Sequence, residues 1–189
     1  MAWNTARHLK VWYGVSGSGA VLHTLNPRLS GDQLVYIINH AEDTMLMVDF
    51  DLSAVIAPIV DRLETVKKII IMTDREHMPD NIQAAICFED WIAEQDGDFD
   101  WVEGSERDAC GICYTSGTTG NPKGVVYTHR SNVLHALAAS SPDVLNMTSR
   151  DTLMPVVPLF HANGWSIAYT APMNGAAMVM PGASHPRRV

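Results

Sequence analysis

The residues best suited to chemistry lie in one short stretch, residues 114–124. Its eleven positions (YTSGTTGNPKG) hold four small hydroxyl side chains, three glycines and one lysine, directly after the apolar run 109–113. Glycine lets a backbone turn through positive φ and approach a ligand without a Cβ in the way. Hydroxyls and freed backbone N–H groups donate hydrogen bonds, and Lys123 adds one positive charge. These groups would bind a polyphosphate and stabilise charge that develops during its transfer.

Two other interpretations of this stretch compete with a phosphate site. One is a polar, glycine-rich turn between two strands, which such sequences commonly mark. Four Ser or Thr residues and a lysine are more than a turn needs, yet this interpretation stays open. The other is a Walker-type loop, which requires glycine, four residues and then Gly-Lys-Ser/Thr. Counted from Gly117, the second glycine would fall at Pro122, and Lys123 is followed by Gly124, so the spacing excludes it.

A second candidate lies in residues 158–165 (PLFHANGW). His161 follows an apolar run and precedes a predicted helix, which is where open α/β sheets bind ligands. Asn163 can cap that helix, and Gly164 permits close approach of a ligand. A hydrogen-bonded, half-buried His161 without substrate contact fits the residues equally well. By its type alone, Trp165 is expected in the core.

The stretch 114–124, continued by VVYTHR, resembles the phosphate loop of the adenylate-forming acyl-CoA synthetase superfamily. Within that superfamily it is most similar to the bacterial long- and medium-chain fatty acyl-CoA ligases. Residues 158–165 resemble the family's second core motif, and residues 19–30 (GAVLHTLNPRLS) are also similar to the fatty-acyl branch. The resemblance therefore covers almost the whole chain.

The resemblance implies a role for each matching residue. Thr115 would help to hold Mg²⁺, and His161 would position the acyl carboxylate and the adenylate as a catalytic residue. Ala162 would contribute backbone near the nucleotide, and Trp165 would gate a fatty-acid tunnel. The residues that would bind the β- and γ-phosphates are Ser116, Gly117, Thr118, Thr119, Gly120 and Lys123, with Lys123 also counted as catalytic.

The implied activity is ATP-dependent conversion of a fatty acid to acyl-AMP and then, with coenzyme A, to acyl-CoA. The family's aromatic-Gly-x-Thr-Glu motif, which supplies a second Mg²⁺ ligand, has no match; the nearest string is YGVSG at 13–17. We therefore expect residues 1–189 to be a partial N-terminal AMP-binding domain. The C-terminal part of that domain and the small C-terminal domain would be absent, and the fragment alone would be inactive. Adenylation of an aryl or other carboxylic acid, or a non-catalytic remnant, stays open.

The composition limits the classes of partner. The 189 residues carry a formal net charge of −8, which argues against a nucleic-acid-binding surface. No apolar run reaches the roughly 20 residues that a membrane helix needs, and the first residues lack a signal-peptide core. Three cysteines outside any disulfide framework fit a reducing cytosol. We expect a cytoplasmic protein, associated with membranes at most peripherally, and the resemblance adds homodimer formation as an option.

Hydrophobic patterns alternate between strand and helix periods, which predicts an α/β layered fold with a mainly parallel sheet flanked by helices. Ser30 and Gln33 form a capping box before a helix, and Pro58 either starts or kinks a helix over 52–63. A helix after the phosphate loop should turn Val133, Leu134, Leu137 and Ala138 inward. Cys110 and Cys113 are interpreted as buried strand residues rather than a redox or zinc pair. The predicted strands include 44–48, 68–72, 109–115, 124–128 and 153–159, and a further helix is predicted over 163–171.

Overall fold

Helices and strands alternate along the computed structural model, which describes residues 1–115 and 121–183. The predicted phosphate-loop residues Ser116, Gly117, Thr118, Thr119 and Gly120 lie outside the described residues. The α-helices are α1 (Ala6–Gly17), α2 (Gly31–His40), α3 (Ser53–Ile56), α4 (Phe88–Ala93), α5 (His129–Ala139) and α6 (Ile167–Met173). The strands are β1 (Leu22–Thr24), β2 (Met45–Asp49), β3 (Lys68–Met72), β4 (Ile86–Cys87), β5 (Ala109–Thr115), β6 (Lys123–Thr128), β7 (Thr152–Leu153) and β8 (Ala177–Met178).

The strand pairings confirm the predicted parallel α/β class. β1 pairs with β5, β2 with β3, β3 with β4 and β7 with β8, and each of these pairs is parallel. Within the described ranges the strands form three small sheets, ordered β1-β5-β6, β2-β3-β4 and β7-β8. Parallel neighbours need crossover connections, and the intervening helices supply them.

One compact unit comprises Met1–Ala2, Leu25–Asp100 and the described part of Tyr114–Val125. The Ser30 side chain accepts a hydrogen bond from the Gln33 backbone and the Gln33 side chain accepts one from the Ser30 backbone, which confirms the predicted capping box. α2 then buries Leu34, Ile37 and Ile38, the apolar face that the sequence predicts. The parallel strands β2 and β3 supply further fully buried residues, Val48, Ile70 and Ile71.

Pro58 interrupts the helix that the pattern predicts over 52–63. Only α3 is α-helical there, and 3₁₀ turns at Phe50–Leu52 and Ala57–Arg62 flank it. Proline has no N–H for the helical ladder and its ring clashes with the preceding turn, so the kinked alternative is the correct one.

The second compact unit comprises Trp3–Thr24, Trp101–Cys113 and the described residues from Val126 onward. Its main core cluster brings together Trp12 of α1, Leu22 of β1, Leu159 and Ala168 of α6. Residues 101–108 of this unit and residues 93–100 of the first unit are all exposed. Within the described part of the chain, no helix is long and apolar enough to cross a membrane.

The prediction for the inward face of α5 is wrong. Val133, Leu134 and Leu137 are about half exposed, at 55%, 51% and 55%, whereas Ala136 and Ala139 are buried. α5 packs against α6, and small residues on the contact side let two helix backbones come close. The large apolar residues of α5 therefore face outward in this chain.

The two cysteines of the C-x-x-C pattern are buried strand residues, as predicted. Cys110 and Cys113 are three positions apart on β5, so their side chains point to opposite faces of the sheet. Asn132 of α5 donates a hydrogen bond from Nδ2 to Cys110 Sγ at 3.1 Å. Burial raises the pKa of the Cys110 thiol, which keeps it protonated and unreactive.

Candidate functional site

The two described ends of the candidate phosphate loop lie on neighbouring strands. Thr115 is the last residue of β5 and Lys123 is the first residue of β6, and these strands are adjacent in the sheet β1-β5-β6. Both side chains are exposed. The predicted strand pair around the loop is confirmed, with β6 starting one residue earlier than predicted. A hydroxyl and an ammonium group thus stand at the two ends of the glycine- and hydroxyl-rich connection.

The second candidate segment has an unusual backbone. Within the 3₁₀ helix Ala162–Ser166, positive φ angles occur at Ala162 (44°), Gly164 (59°), Trp165 (57°) and Ser166 (62°). Only glycine occupies this region without a steric cost, and strained non-glycine residues cluster at functional sites. This backbone strain indicates a functional site, and the residue types alone would not have predicted the strain.

Gly164 is required by packing as well as by its dihedral angle. A Cβ built on Gly164 would lie 2.6 Å from Leu159 Cδ2 and 3.1 Å from Leu159 Cα. The clash with the Leu159 backbone cannot be relieved by a side-chain rotation. The close approach at Gly164 in this chain is that of Leu159; approach of a ligand to Gly164 stays a prediction.

His161 does not follow a strand, which corrects the prediction of a strand over 153–159. β7 ends at Leu153, and the residues after it have no regular structure because Pro155 and Pro158 cannot donate to a strand ladder. The His161 N–H donates to Pro158 O at 3.0 Å, and its carbonyl accepts from Gly164 N at 2.9 Å. His161 is exposed, so the half-buried alternative is wrong.

Asn4 replaces the missing strand pairing and was not found by sequence reasoning. The buried side chain donates from Nδ2 to Pro155 O at 2.8 Å and to Val157 O at 2.9 Å. Its Oδ1 accepts from Leu159 N at 2.8 Å. One asparagine therefore holds the segment that leads into His161. Its only sequence signal is a polar residue directly after the apolar residues 1–3, which is too weak to predict a contact over 150 positions.

Two further expectations at this segment need correction. Helix α6 begins at Ile167 with Ser166 as its N-cap residue, so the predicted helix over 163–171 begins later than expected. The side chain of Asn163, the predicted cap, lies outside the described part of the chain. Trp165 is 59% exposed, so the expectation that it lies in the core is also wrong. An exposed indole four positions after His161 is compatible with the gate role that the resemblance implies, which stays a prediction.

The structure groups the candidate residues into two sets. Thr115 and Lys123 belong to the first unit, and His161, Ala162 and Trp165 belong to the second. The second unit also contains a cleft of about 310 Å³ among α1, α5, α6 and β5. Of the predicted site residues that the structure describes, none lines this cleft. Its polar lining residues are Tyr13, Ser16, Cys110, His129, Asn132 and Tyr169.

Solved structures define the class of fold. An anthranilate CoA ligase, AuaEII, crystallised with anthranoyl-AMP, superposes with a TM-score of 0.81 at 23% identity. The superposition covers 97% of this chain and 35% of that one. At this level of identity the likeness establishes the fold alone, which is the fold of that ligase.

The family follows from the sequence comparisons. A model of the AMP-binding enzyme family matches residues 1–189, and the chain belongs to that family. It is 48% identical to 3-methylmercaptopropionyl-CoA ligase of Ruegeria pomeroyi and 47% identical to medium-chain-fatty-acid–CoA ligase of Ectopseudomonas oleovorans, each over 183 residues. A long-chain-fatty-acid–CoA ligase of Thermus thermophilus is 43% identical over 182 residues.

Each of these alignments covers 96% of this chain but only 32% to 34% of the relative. The chain thus spans about a third of the length of the curated relatives that it matches. The resemblance to bacterial medium- and long-chain ligases is confirmed for this third.

Proposed function

We propose that this chain is part of an enzyme that activates a fatty acid with ATP and transfers the acyl group to coenzyme A. The observation that carries the proposal is the 47% identity to a medium-chain-fatty-acid–CoA ligase over 183 residues that include the phosphate-loop stretch. The placement of Thr115 and Lys123 at the two ends of that stretch supports it.

The chemistry follows from the substrates. A carboxylate is a poor acyl donor because oxide cannot leave. A carboxylate oxygen therefore attacks the α-phosphorus of ATP, the bond to the β-phosphate breaks, and acyl-AMP and pyrophosphate form. The thiol sulfur of coenzyme A next attacks the acyl carbon, loses its proton, and displaces AMP as the leaving group. Positioning and neutralisation of charge supply most of the acceleration in such reactions.

Lys123 and the hydroxyl- and glycine-rich residues before it would bind the β- and γ-phosphates. The ammonium group of Lys123 would offset the charge that accumulates on the departing pyrophosphate. His161 and the backbone of Ala162 would position the carboxylate and the adenylate. Trp165, exposed on a strained turn, would gate the entry of the acyl chain.

The residues present are compatible with Mg²⁺. Magnesium takes oxygen ligands, keeps several waters, and is usually bound through one or two protein groups together with substrate phosphates. Thr115 offers an exposed hydroxyl oxygen at the end of β5. Within residues 1–115 and 121–183 no group of three or more His, Cys, Asp or Glu is placed to hold a metal ion. Bound Mg²⁺ would neutralise phosphate charge, and Thr115 would orient it.

A short thioether acid is a second candidate substrate. The 3-methylmercaptopropionyl-CoA ligase of Ruegeria pomeroyi is 48% identical to this chain, as near as the medium-chain enzyme. An aryl acid has weaker support, because the anthranilate ligase shares the fold at 23% identity. Cytoplasmic location, peripheral membrane association and homodimer formation belong to the same proposal.

The test is ATP–pyrophosphate exchange in two proteins. One is the 189-residue chain. The other is a chimera in which this chain replaces the matching 183 residues of the Ectopseudomonas oleovorans ligase. We expect exchange with octanoate or 3-methylmercaptopropionate in the chimera, and none in the isolated chain. A folded chimera without exchange on any carboxylic acid would contradict the proposed function. Robust exchange by the isolated chain would contradict the expectation that this part is inactive alone.

A further inference from the structure

Tyr114, the residue before Thr115, belongs to a cluster of three rings in the first unit. Its Oη shares a 2.7 Å hydrogen bond with Nδ1 of His40. The two rings meet edge to face, with centroids 5.9 Å apart and an interplanar angle of 90°. Tyr36, one turn earlier on α2, also packs against His40, with ring centroids 5.3 Å apart and an interplanar angle of 31°.

His40 is a well-anchored partner because the end of α2 is fixed on both sides. It is the last residue of the helix, whose preceding turn buries Ile37 and Ile38. The side chain of the preceding residue, Asn39, donates to Arg62 O at 2.9 Å and accepts from Glu64 N at 3.0 Å. Beyond the helix end, Thr65 Oγ1 donates to Asp43 O at 2.8 Å.

Tyr114 occupies the position where the support of β5 by β1 stops. The parallel register runs from Leu22↔Gly111 to Thr24↔Cys113 and does not reach Tyr114. On the side of β5 away from β6, the hydrogen bond to His40 therefore adds a contact where the ladder with β1 has ended, one residue before Thr115. Burial, with Asp43 and Tyr36 next in effect, raises the pKa of Tyr114, so the phenol stays protonated and able to hydrogen bond.

We infer that His40 is a positioning residue, which acts through the Tyr114 hydroxyl to fix Thr115 and the start of the phosphate loop for ATP. The inference rests on the proposed function. His40 does not touch substrate in this account; it sets the backbone from which Thr115 extends. Loss of the bond should weaken the productive binding of ATP and leave the fatty-acid site unaffected.

The experiment is a double-mutant cycle in the chimera, with the KM values for ATP and octanoate and the melting temperature measured for each variant. Tyr114→Phe and His40→Ala are each expected to raise the KM for ATP about 3- to 10-fold, the effect of one lost hydrogen bond. The double variant should match either single variant, because both remove the same interaction. His40→Asn, whose side chain places a polar atom near the Nδ1 position, should restore most of the ATP affinity.

Tyr36→Phe is the matched control, because it keeps the ring that packs on His40 and removes a neighbouring phenol. It should leave both KM values unchanged. Additive effects of the two substitutions, an unchanged KM for ATP, or equal rises in both KM values with a lowered melting temperature would overturn the inference while the proposed function stands. Failure of His40→Asn to recover affinity would also count against it. A wild-type chimera without exchange would refute the proposed function and this inference with it.

Discussion

The positive charge of the proposed phosphate site comes from the side chain of Lys123. The ammonium group stands at the first residue of β6, exposed and next to the glycine-rich connection. In the chimera, Lys123→Ala should slow formation of acyl-AMP about 10- to 100-fold, since a group that stabilises developing charge has been removed. Rapid-quench measurement of acyl-AMP separates this step from thioester formation.

The control for this prediction is Lys68→Ala, which removes an exposed lysine from the first residue of β3. Its rate of acyl-AMP formation should equal that of the wild type. A normal rate in Lys123→Ala would remove Lys123 from the phosphate site.

His8 predicts how stability depends on pH. It is buried, with Nδ1 2.9 Å from Trp3 O, and burial lowers its pKa from 6.5 to about 4. Between these values the unfolded chain binds a proton that the folded chain does not, so stability falls as the pH drops from 6.5 to 4. The loss should approach about 3 kcal/mol below pH 4.

Urea unfolding between pH 7 and pH 4 checks this contribution. His8→Asn keeps an N–H donor for Trp3 O and does not titrate, so its stability should fall less over the same range. Equal pH dependence in the wild type and in His8→Asn would show that His8 makes no contribution.

At the scale of elements, Asn4 explains how a segment without strand structure is held. Asn4→Ala would leave a buried carbonyl, a part-buried carbonyl and the Leu159 N–H without this partner. We expect a loss of about 2 to 4 kcal/mol in the free energy of unfolding, measured by urea denaturation. Asn26→Ala, which removes one exposed hydrogen bond to Arg28 N, should cost less than about 1 kcal/mol. Equal losses in the two variants would show that the Asn4 side chain does not hold the segment before His161.

Helix α5 gives a second prediction at this scale. Val133→Lys and Leu137→Lys should change the free energy of unfolding of the isolated chain by no more than about 0.5 kcal/mol, because both side chains are half exposed. Ala136→Lys would place a charge at a buried position of α5 and should unfold the chain, as measured by circular dichroism. If Val133→Lys unfolds the chain as well, the sequence-based inward face is the correct one.

An element was predicted correctly when the residues that determine its structure lie close together in the sequence. The capping box of Ser30 and Gln33 and the β-branched run of β3 act within a few positions, so α2 and β3 match their predictions. The outward face of α5 could not be predicted. When a helix is apolar on several sides, its sequence pattern does not indicate which side packs against the rest of the protein. The segment before His161 depends on Asn4, which lies over 150 positions away.

The features of the candidate site also differ in whether they depend on neighbouring or on distant residues. Residue types and their order marked the phosphate loop and the His161 segment, because both motifs are continuous in sequence. The left-handed backbone at Ala162, Trp165 and Ser166 was not predictable, since non-glycine residues at positive φ are held there by their surroundings. The bond between His40 and Tyr114 joins residues 74 positions apart and leaves no pattern in the sequence.

At the scale of the whole molecule, the family assignment covers residues 1–189, whereas the activity is proposed for a longer protein. The matched relatives are about three times as long, with 34% of the Ectopseudomonas oleovorans ligase aligned. Catalysis in the chimera and its absence in the isolated chain would show that the phosphate loop and the His161 segment need the remaining polypeptide to act.

The most direct test of the account is a crystal structure of the chimera with ATP and Mg²⁺. We predict that the triphosphate will lie between Thr115 and Lys123 and be bound by residues 116–120. A triphosphate bound elsewhere, with that stretch empty, would contradict the account.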